Sequence, residues 1–244
     1  PRLGKVLTLD GVTQTTEKDE FIYHEMMVHV PILAHGAVRR VLIIGGGDGG
    51  ILEEALKHPG VELATMVEID GGVVEFSKKY LSEICKGAFD DPRTDLVIAD
   101  GFAFVRDSTA TYDVIIVDST DPQGPGEVLF TREFYGHCKN RLTPGGVLVT
   151  QNGVPFMQAD ELRTSAKHLR NFFADVGCYL ATIPTYVAGA MAMGWATDNK
   201  ALRDVPIEAL EARFAALGIE TGYYTPQVHK GAFALPPYVA KLLA

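Results

Sequence analysis

"VLIIGGGDGGILEEALKH", residues Val41–His58, decides the fold. Val41–Ile44 is a short apolar run bounded by glycine, the mark of a buried strand. A glycine turn follows, and a helical pattern opens at Gly49-Gly50. Gly45, Gly47 and Gly50 fit G-x-G-x-x-G on this strand-to-helix turn, the context in which that spacing marks a nucleotide-type ligand. Asp48 lies inside the turn, where it would oppose the pyrophosphate of a dinucleotide. Two unit charges 4 Å apart interact by roughly 4 kcal/mol at an effective dielectric of 20. S-adenosylmethionine carries an amine and a carboxylate, so Asp48 would suit one group and repel the other. A ligand with an amine and no carboxylate suits it best. The other reading of Asp48 is a side chain turned away to cap the helix.

The alternation repeats downstream. "ATMVEID" is a second strand, with a helix through "GVVEFSKKYL"; "TDLVIAD" is a third, with a short helix in "GFAFVRD". "YDVIIVD" is a fourth, followed by a Pro/Gly-rich loop and a helix around "TREFYGHCKNRL"; "GGVLVTQ" is a fifth. A helix over about 158–173 and strands near 177–183 and 191–197 complete the set. Short apolar runs separated by helices predict a mostly parallel sheet covered on both faces, a doubly wound, Rossmann-like α/β fold. Upstream, "GKVLTLDGVTQTTEKDE" alternates about Asp10-Gly11, a β-hairpin with a DG turn. "EFIYHEMMVHVPILAHG" reads as a helix ending near Pro31 to Gly36. The expected organisation is a hairpin unit, residues 1–18, before a Rossmann-like domain over 19–244, with "YYTPQVHKGAFALPPYVAKLL" as a helical cap.

Composition narrows the function. The 244 residues carry a net charge of −9, which weighs against nucleic acid and favours cationic ligands, with solubility alone as the other reading. No run of 18 apolar residues and no signal peptide is visible, so neither a membrane nor an export route is expected. Cys85, Cys138 and Cys178 are isolated, without the spacing of a disulfide framework or a metal knuckle, which points to a reducing compartment such as the cytoplasm.

In a doubly wound sheet, ligands bind outside the carboxyl ends of the strands. Carboxylates dominate there. Glu68, 23 residues after Gly45, stands where an acid accepts from ribose hydroxyls. Asp100, before Gly101, is an acceptor for an adenine amine, an N-cap for the following helix, or both. Asp118 and Asp121 follow the fourth strand. A polyvalent cation is their natural partner, with a turn held by Asp side chains as the other reading. No third ligand falls at obvious spacing, so no metal is expected. The loop Gln123–Val128 has the composition of a lid. Tyr23 and Tyr186 read either as site-lining or as core aromatics. The acid run Glu17–Glu20 reads as a helix start, His58, His137 and His168 as surface residues, and Trp195 as strand packing.

Together, "LDGVTQTTEKDEFIYHEM", "VLIIGGGDGG", "MVEID", "VDSTDPQGPGEVLF", "IPTY" and "VHKGAFALP" resemble the polyamine aminopropyltransferases, bacterial spermidine synthases most closely, from Gly4 to the C-terminus. The resemblance implies a methyltransferase-type fold and transfer of an aminopropyl group from decarboxylated S-adenosylmethionine to putrescine. The products would be spermidine and 5′-methylthioadenosine. The resemblance further implies that no metal or prosthetic group takes part and that the assembly is a homodimer or homotetramer. By the same resemblance Asp48 holds the aminopropyl amine, Glu68 the ribose, Asp100-Gly101 the adenine, and Gly45, Gly47 and Pro125 approach the nucleoside. Asp118 is the general base and touches the acceptor, Asp121 anchors the diamine, and Tyr23 and Tyr186 line it. His24 falls at a position that is Gln or His in the family and faces the donor. Two departures stand out. The family carries a further N-terminal β region with a nucleoside-binding Gln, which this chain starts after, so that ligand is expected to be absent from it. Pro155 replaces a diamine-contacting Gln of some relatives. The alternatives are a putrescine N-methyltransferase, a spermine synthase, and a non-catalytic polyamine-binding regulatory homologue.

Overall fold

A computed structural model describes residues 3–120 and 124–244. Asp10 and Gly11 take φ of 50° and 83°, the pair of left-handed positions a tight hairpin turn needs. They join β1 (Val6–Leu9) to β2 (Val12–Thr16) as a separate antiparallel two-stranded sheet. Helix α1 (Glu20–His35) comes next and ends on Gly36, whose N–H reaches the Ile32 carbonyl at 2.8 Å. Every residue from Ile22 to Ala34 is buried. A helix covered on all sides must find partners for its polar residues. Tyr23, His24, Glu25 and His29 find theirs on other elements of the fold.

The main sheet has the order β5-β4-β3-β6-β7-β9-β8. Strands β3 (Arg40–Gly45), β4 (Leu63–Glu68), β5 (Thr94–Ile98), β6 (Tyr112–Asp118) and β7 (Leu142–Gln151) are parallel; β9 (Met191–Thr197) runs antiparallel to β7 and to β8 (Asp175–Ala181). Helices α2 (Gly50–Leu56), α3 (Gly71–Tyr80), α4 (Ser82–Cys85), α5 (Gly101–Asp107), α6 (Arg132–Arg141) and α7 (Ala159–Leu169) alternate with the strands, and α8 (Ile207–Leu217), α9 (Pro226–Ala232) and α10 (Pro237–Ala240) close the chain. The two-residue period of the strands sorts their side chains into two cores. Val41, Ile43, Val114, Ile116, Val147 and Val149 pack with α1 and α2; Leu42, Ile44, Ile115, Val117 and Leu148 pack on the opposite face.

The mostly parallel, Rossmann-like sheet matches the expectation, with shifts at some ends. Strand β7 starts at Leu142 rather than Gly145, and α7 stops at Leu169 because residues 170–173 turn out of the helix. His58 departs from its expected surface position. It is 3% exposed, because its Nε2 meets Nδ1 of the buried His29 at 2.8 Å. Trp195, in β9, is fully buried. Among the described residues no helix is long and apolar enough to cross a membrane. From β3 the chain leaves to one side for β4 and β5, then returns to the other side for β6. The crevice between β3 and β6 is therefore the switch point where such sheets bind ligands, and there Gly45 sits in register with Asp118.

Candidate active site

The glycine turn crosses the end of β6 at close quarters. Gly45 has φ 82°, and a Cβ on it would overlap the Asp118 carbonyl oxygen, which itself accepts the Gly46 N–H at 3.2 Å. Gly50 lies against His24 of α1, and a Cβ there would overlap the imidazole. These absent side chains bring α1, the turn and β6 together around one cavity, lined among others by Tyr23, His24, Asp48, Asp118 and Tyr186.

Asp48 is held from the turn, from α1 and, through the Thr15 hydroxyl, from β2. Its Oδ1 accepts the Gly50 N–H at 2.9 Å, a bond local to the turn, and its Oδ2 stands 3.4 Å from His24 Nε2. The reading of Asp48 as a side chain turned away to cap the helix is not met: α2 has Gly49 at its N-cap, without a side-chain cap, and the carboxylate faces the cavity. His24 Nδ1 meets Glu20 Oε2 at 2.5 Å. Burial opposes a charge on the His24 ring, but Asp48 and Glu20 outweigh it and hold its pKa well above the usual imidazole range. Burial likewise works against the Asp48 carboxylate. His24 and the Gly50 N–H more than offset it, and the Asp48 pKa is lowered.

Asp118 ends β6, and its Oδ1 accepts the Tyr23 hydroxyl at 2.7 Å. Burial, reinforced by the Asp48 charge, pushes the Asp118 carboxyl up to about 6, against the pull of the Tyr23 bond and of His24. Tyr23 is 5% exposed, and burial together with Asp118 keeps its phenol neutral. The rings of Tyr23 and Tyr186 meet edge-on, 6.3 Å apart, and the Tyr186 hydroxyl donates to the Gln14 carbonyl of β2.

Two acids of this cavity escaped the sequence reading. Asp19 and Glu20 belong to the acid run read only as a helix start, and both line the cavity. Asp19 accepts from Thr16 Oγ1 at 2.5 Å, from the Thr185 N–H at 2.7 Å and from Thr185 Oγ1 at 2.6 Å. It ties β2 and the start of α1 to the segment that carries Tyr186. The spacing of two acids at a helix start held no sign of this, because Thr185 is 166 residues away.

The remaining candidates stand along the same sheet edge. Glu68, buried at the end of β4, accepts the Asp70 N–H at 2.9 Å, with the N–H groups of Ile69 and Gly47 close by. Burial nevertheless raises its pKa above the ordinary carboxylate value. Asp100 caps α5 by accepting the Ala103 N–H at 3.0 Å, and its neighbour Gly101 packs on Ile44. Asp121, Gln123 and the side chain of Pro125 lie outside the described residues. Asn152, just after β7, is buried and bonded to Thr150 and Ser165, which fits a structural role.

Comparison with known proteins agrees with this geometry. The model of the spermine/spermidine synthase domain matches residues 20–205. The chain is 64% identical over 239 residues to a polyamine aminopropyltransferase of Ruegeria sp. (strain TM1040), covering 98% of this chain and 84% of the relative. It is 58% identical over 242 residues to polyamine aminopropyltransferase 1 of Pseudomonas aeruginosa, covering 99% of this chain and 85% of the relative. A crystal structure of a spermidine synthase in complex with the transition state analogue AdoDATO superposes with a TM-score of 0.93 at 43% identity, over 100% of this chain and 82% of that one. The spermidine synthase of Thermotoga maritima gives 0.89 at 41% identity, over 100% and 81%. The chain belongs to the spermine/spermidine synthase family.

Proposed function

We propose that this protein transfers the aminopropyl group of decarboxylated S-adenosylmethionine to putrescine, giving spermidine and 5′-methylthioadenosine. The observation that carries the reading is Asp118: a half-buried carboxyl raised to about 6, hydrogen-bonded to Tyr23 and facing the cavity that Asp48 also lines.

The acceptor arrives as an ammonium of pKa ~10.4, and only the neutral amine attacks. Passing its proton to an ordinary carboxylate of pKa ~4 is uphill by roughly 9 kcal/mol; at about 6 the deficit falls to roughly 6 kcal/mol. Burial therefore makes Asp118 the better base while leaving it mostly ionised at neutral pH. The Tyr23 hydroxyl fixes which oxygen faces the acceptor. The freed amine nitrogen forms a bond to the carbon beside the sulfonium, the carbon–sulfur bond breaks, and sulfur keeps the electron pair. The positive sulfonium becomes a neutral thioether and leaves. Holding nitrogen, carbon and sulfur in line supplies much of the acceleration.

The donor's primary ammonium goes to Asp48, which also disfavours the carboxylate of ordinary S-adenosylmethionine. Glu68 takes the ribose hydroxyls, and Asp100 with Gly101 the adenine. Tyr23 and Tyr186 line the methylene chain of the acceptor. Asp121 anchors its far ammonium, and Pro125 makes a further contact to the nucleoside.

The test is product mass. Incubation with decarboxylated S-adenosylmethionine and a panel of amines should give spermidine from putrescine. Methylputrescine formed with ordinary S-adenosylmethionine would instead identify a methyltransferase, and spermine formed from spermidine a different acceptor range. Binding without turnover would identify a regulatory homologue.

A further inference from the structure

His24 stands between two carboxylates from different parts of the chain. Glu20, one turn earlier on α1, meets Nδ1 at 2.5 Å, and Asp48, in the glycine turn, lies 3.4 Å from Nε2. An imidazole donates at both nitrogens only as the cation. The ring is 2% exposed, so solvent has little share in either contact. With the proposed function, the same Asp48 carboxylate receives the donor's primary ammonium, and its other oxygen is already taken by the Gly50 N–H. Two cations then compete for one carboxylate.

We propose that Glu20 is a positioning residue that keeps His24 protonated in the ligand-free enzyme, so that the imidazolium holds the place of the donor's ammonium and loses its proton when that ammonium binds. This rests on Asp48 being the donor's ammonium ligand, as in the proposed function. The exchange is a simple proton balance. The ammonium enters with its three protons, His24 keeps Nδ1–H toward Glu20, and the proton on Nε2 goes to solvent. Nε2 is then an acceptor that an ammonium N–H can use and a carboxylate cannot. Like charges about 4 Å apart change proton occupancy by about a thousandfold at an effective dielectric of 20, enough to drive the loss.

The groups facing His24 are few. Glu20 and Tyr23 share its helix, Asp48 and Gly50 come from the turn, Asp118 comes from the end of β6, and Thr15 of β2 reaches it through Asp48. At pH 8 Asp118, raised only to about 6, is ionised with or without ligand, and the lowered Asp48 is ionised throughout. Tyr23 stays neutral, and the ligand ammonium, near ~10, keeps its proton. His24 is the group left to change.

Calorimetry of the whole protein at pH 8, in two buffers of different ionisation enthalpy, reads the proton count. Decarboxylated S-adenosylmethionine should release protons, approaching one per site as the pH falls below the free-enzyme titration of His24. 5′-Methylthioadenosine, with the same nucleoside and no ammonium, should release none. Donor affinity should rise about tenfold per pH unit below the free-enzyme titration of His24. In Glu20→Gln both the release and this slope should fall by more than half, with Glu20→Asp restoring part of each. His24→Gln, which removes the ring, should bind the donor with no release and serves if Glu20→Gln fails to fold. A wild-type protein that binds and turns over without releasing a proton overturns this inference alone. So does His24→Gln releasing as much as wild type. No donor binding at all overturns the proposed function with it.

Discussion

Replacing Asp118 by Asn preserves the shape of the side chain and removes its charge, and the burial of that charge sets the size of the effect. The carboxyl titrates at about 6 in the folded protein against 3.8 for the free group. A carboxylate with a raised folded pKa destabilises the fold once it ionises. Below pH 3.8 the group is neutral in both states and there is no penalty; above 6 the penalty is complete. The difference, 6 − 3.8, at about 1.36 kcal/mol per unit, comes to about 3 kcal/mol, or about 2–3 kcal/mol once partial exposure to the cavity is allowed for. Asn still accepts the Tyr23 hydroxyl, so little else changes. Asp118→Asn should therefore gain about 2–3 kcal/mol at pH 8, a rise in Tm of about 4–12 °C for a chain of this size. The gain should shrink by about half at pH 5, where the wild-type carboxyl is already largely protonated. Turnover should fall by about 10²–10⁴ for loss of a general base. Denaturant unfolding at the two pH values, with turnover measured alongside, checks both. A variant less stable than wild type at pH 8, or a gain that does not shrink toward pH 5, refutes the buried-charge argument. Turnover within a few fold of wild type refutes the base.

Tyr23→Phe removes the bond that lowers the Asp118 pKa. With donor saturating, the acid limb of kcat/KM for the diamine should move to higher pH by about 1–2 units, since a hydrogen bond to a charged group contributes about 1.5–3 kcal/mol. An unmoved limb would show that the phenol does not tune the base. Asp19→Asn sets an amide against the Thr185 N–H. It should raise KM for the diamine with little change in KM for the donor, and reduce stability by about 1–3 kcal/mol. Equal changes in both KM values would contradict the placement of this tie on the acceptor side. Glu25→Gln disrupts a carboxylate that accepts the N–H groups of Gly222, Tyr223 and Tyr224 at 2.7, 2.8 and 2.6 Å. It should lower stability by about 1.5–3 kcal/mol in unfolding curves and expose the C-terminal segment to limited proteolysis first.

Much of the fold was legible because buried parallel strands appear as short apolar runs, as at Val41–Ile44 and in "YDVIIVD". The strand-end rule then located Asp48, Glu68, Asp100 and Asp118. What the sequence hid were long-range partners of polar residues in a helix buried on every side. His29 and His58 look like ordinary helix histidines until the fold sets them 2.8 Å apart. Glu25 finds its donors near Gly222, 197 residues on. Asp19 and Glu20 show the same limit. An acid run at a helix start carries one local pattern whether it serves the helix, the cavity or both. The structure brings Tyr23, His24, Asp48, Asp118 and Tyr186 to one cavity, while Asp121 falls outside the described residues.

The Tyr23–Asp118 hydrogen bond joins two differently anchored pieces of chain. Asp48, Glu68 and Asp100, the residues proposed for the donor, follow or end β3, β4 and β5, strands locked in the core sheet. Tyr23 and Tyr186, proposed for the acceptor, come from α1 and from the segment after β8, held to β2 by Asp19 and Gln14. In a lineage, Tyr186 and the hairpin can drift while Tyr23, buried on α1, and the donor residues are held by the packing of the core. After gene duplication, substitutions confined to the hairpin and to residues 183–187 would give a paralogue taking a longer or shorter amine from an unchanged donor. Polyamine diversity would then arise at the rim of the molecule, with the sheet inherited whole.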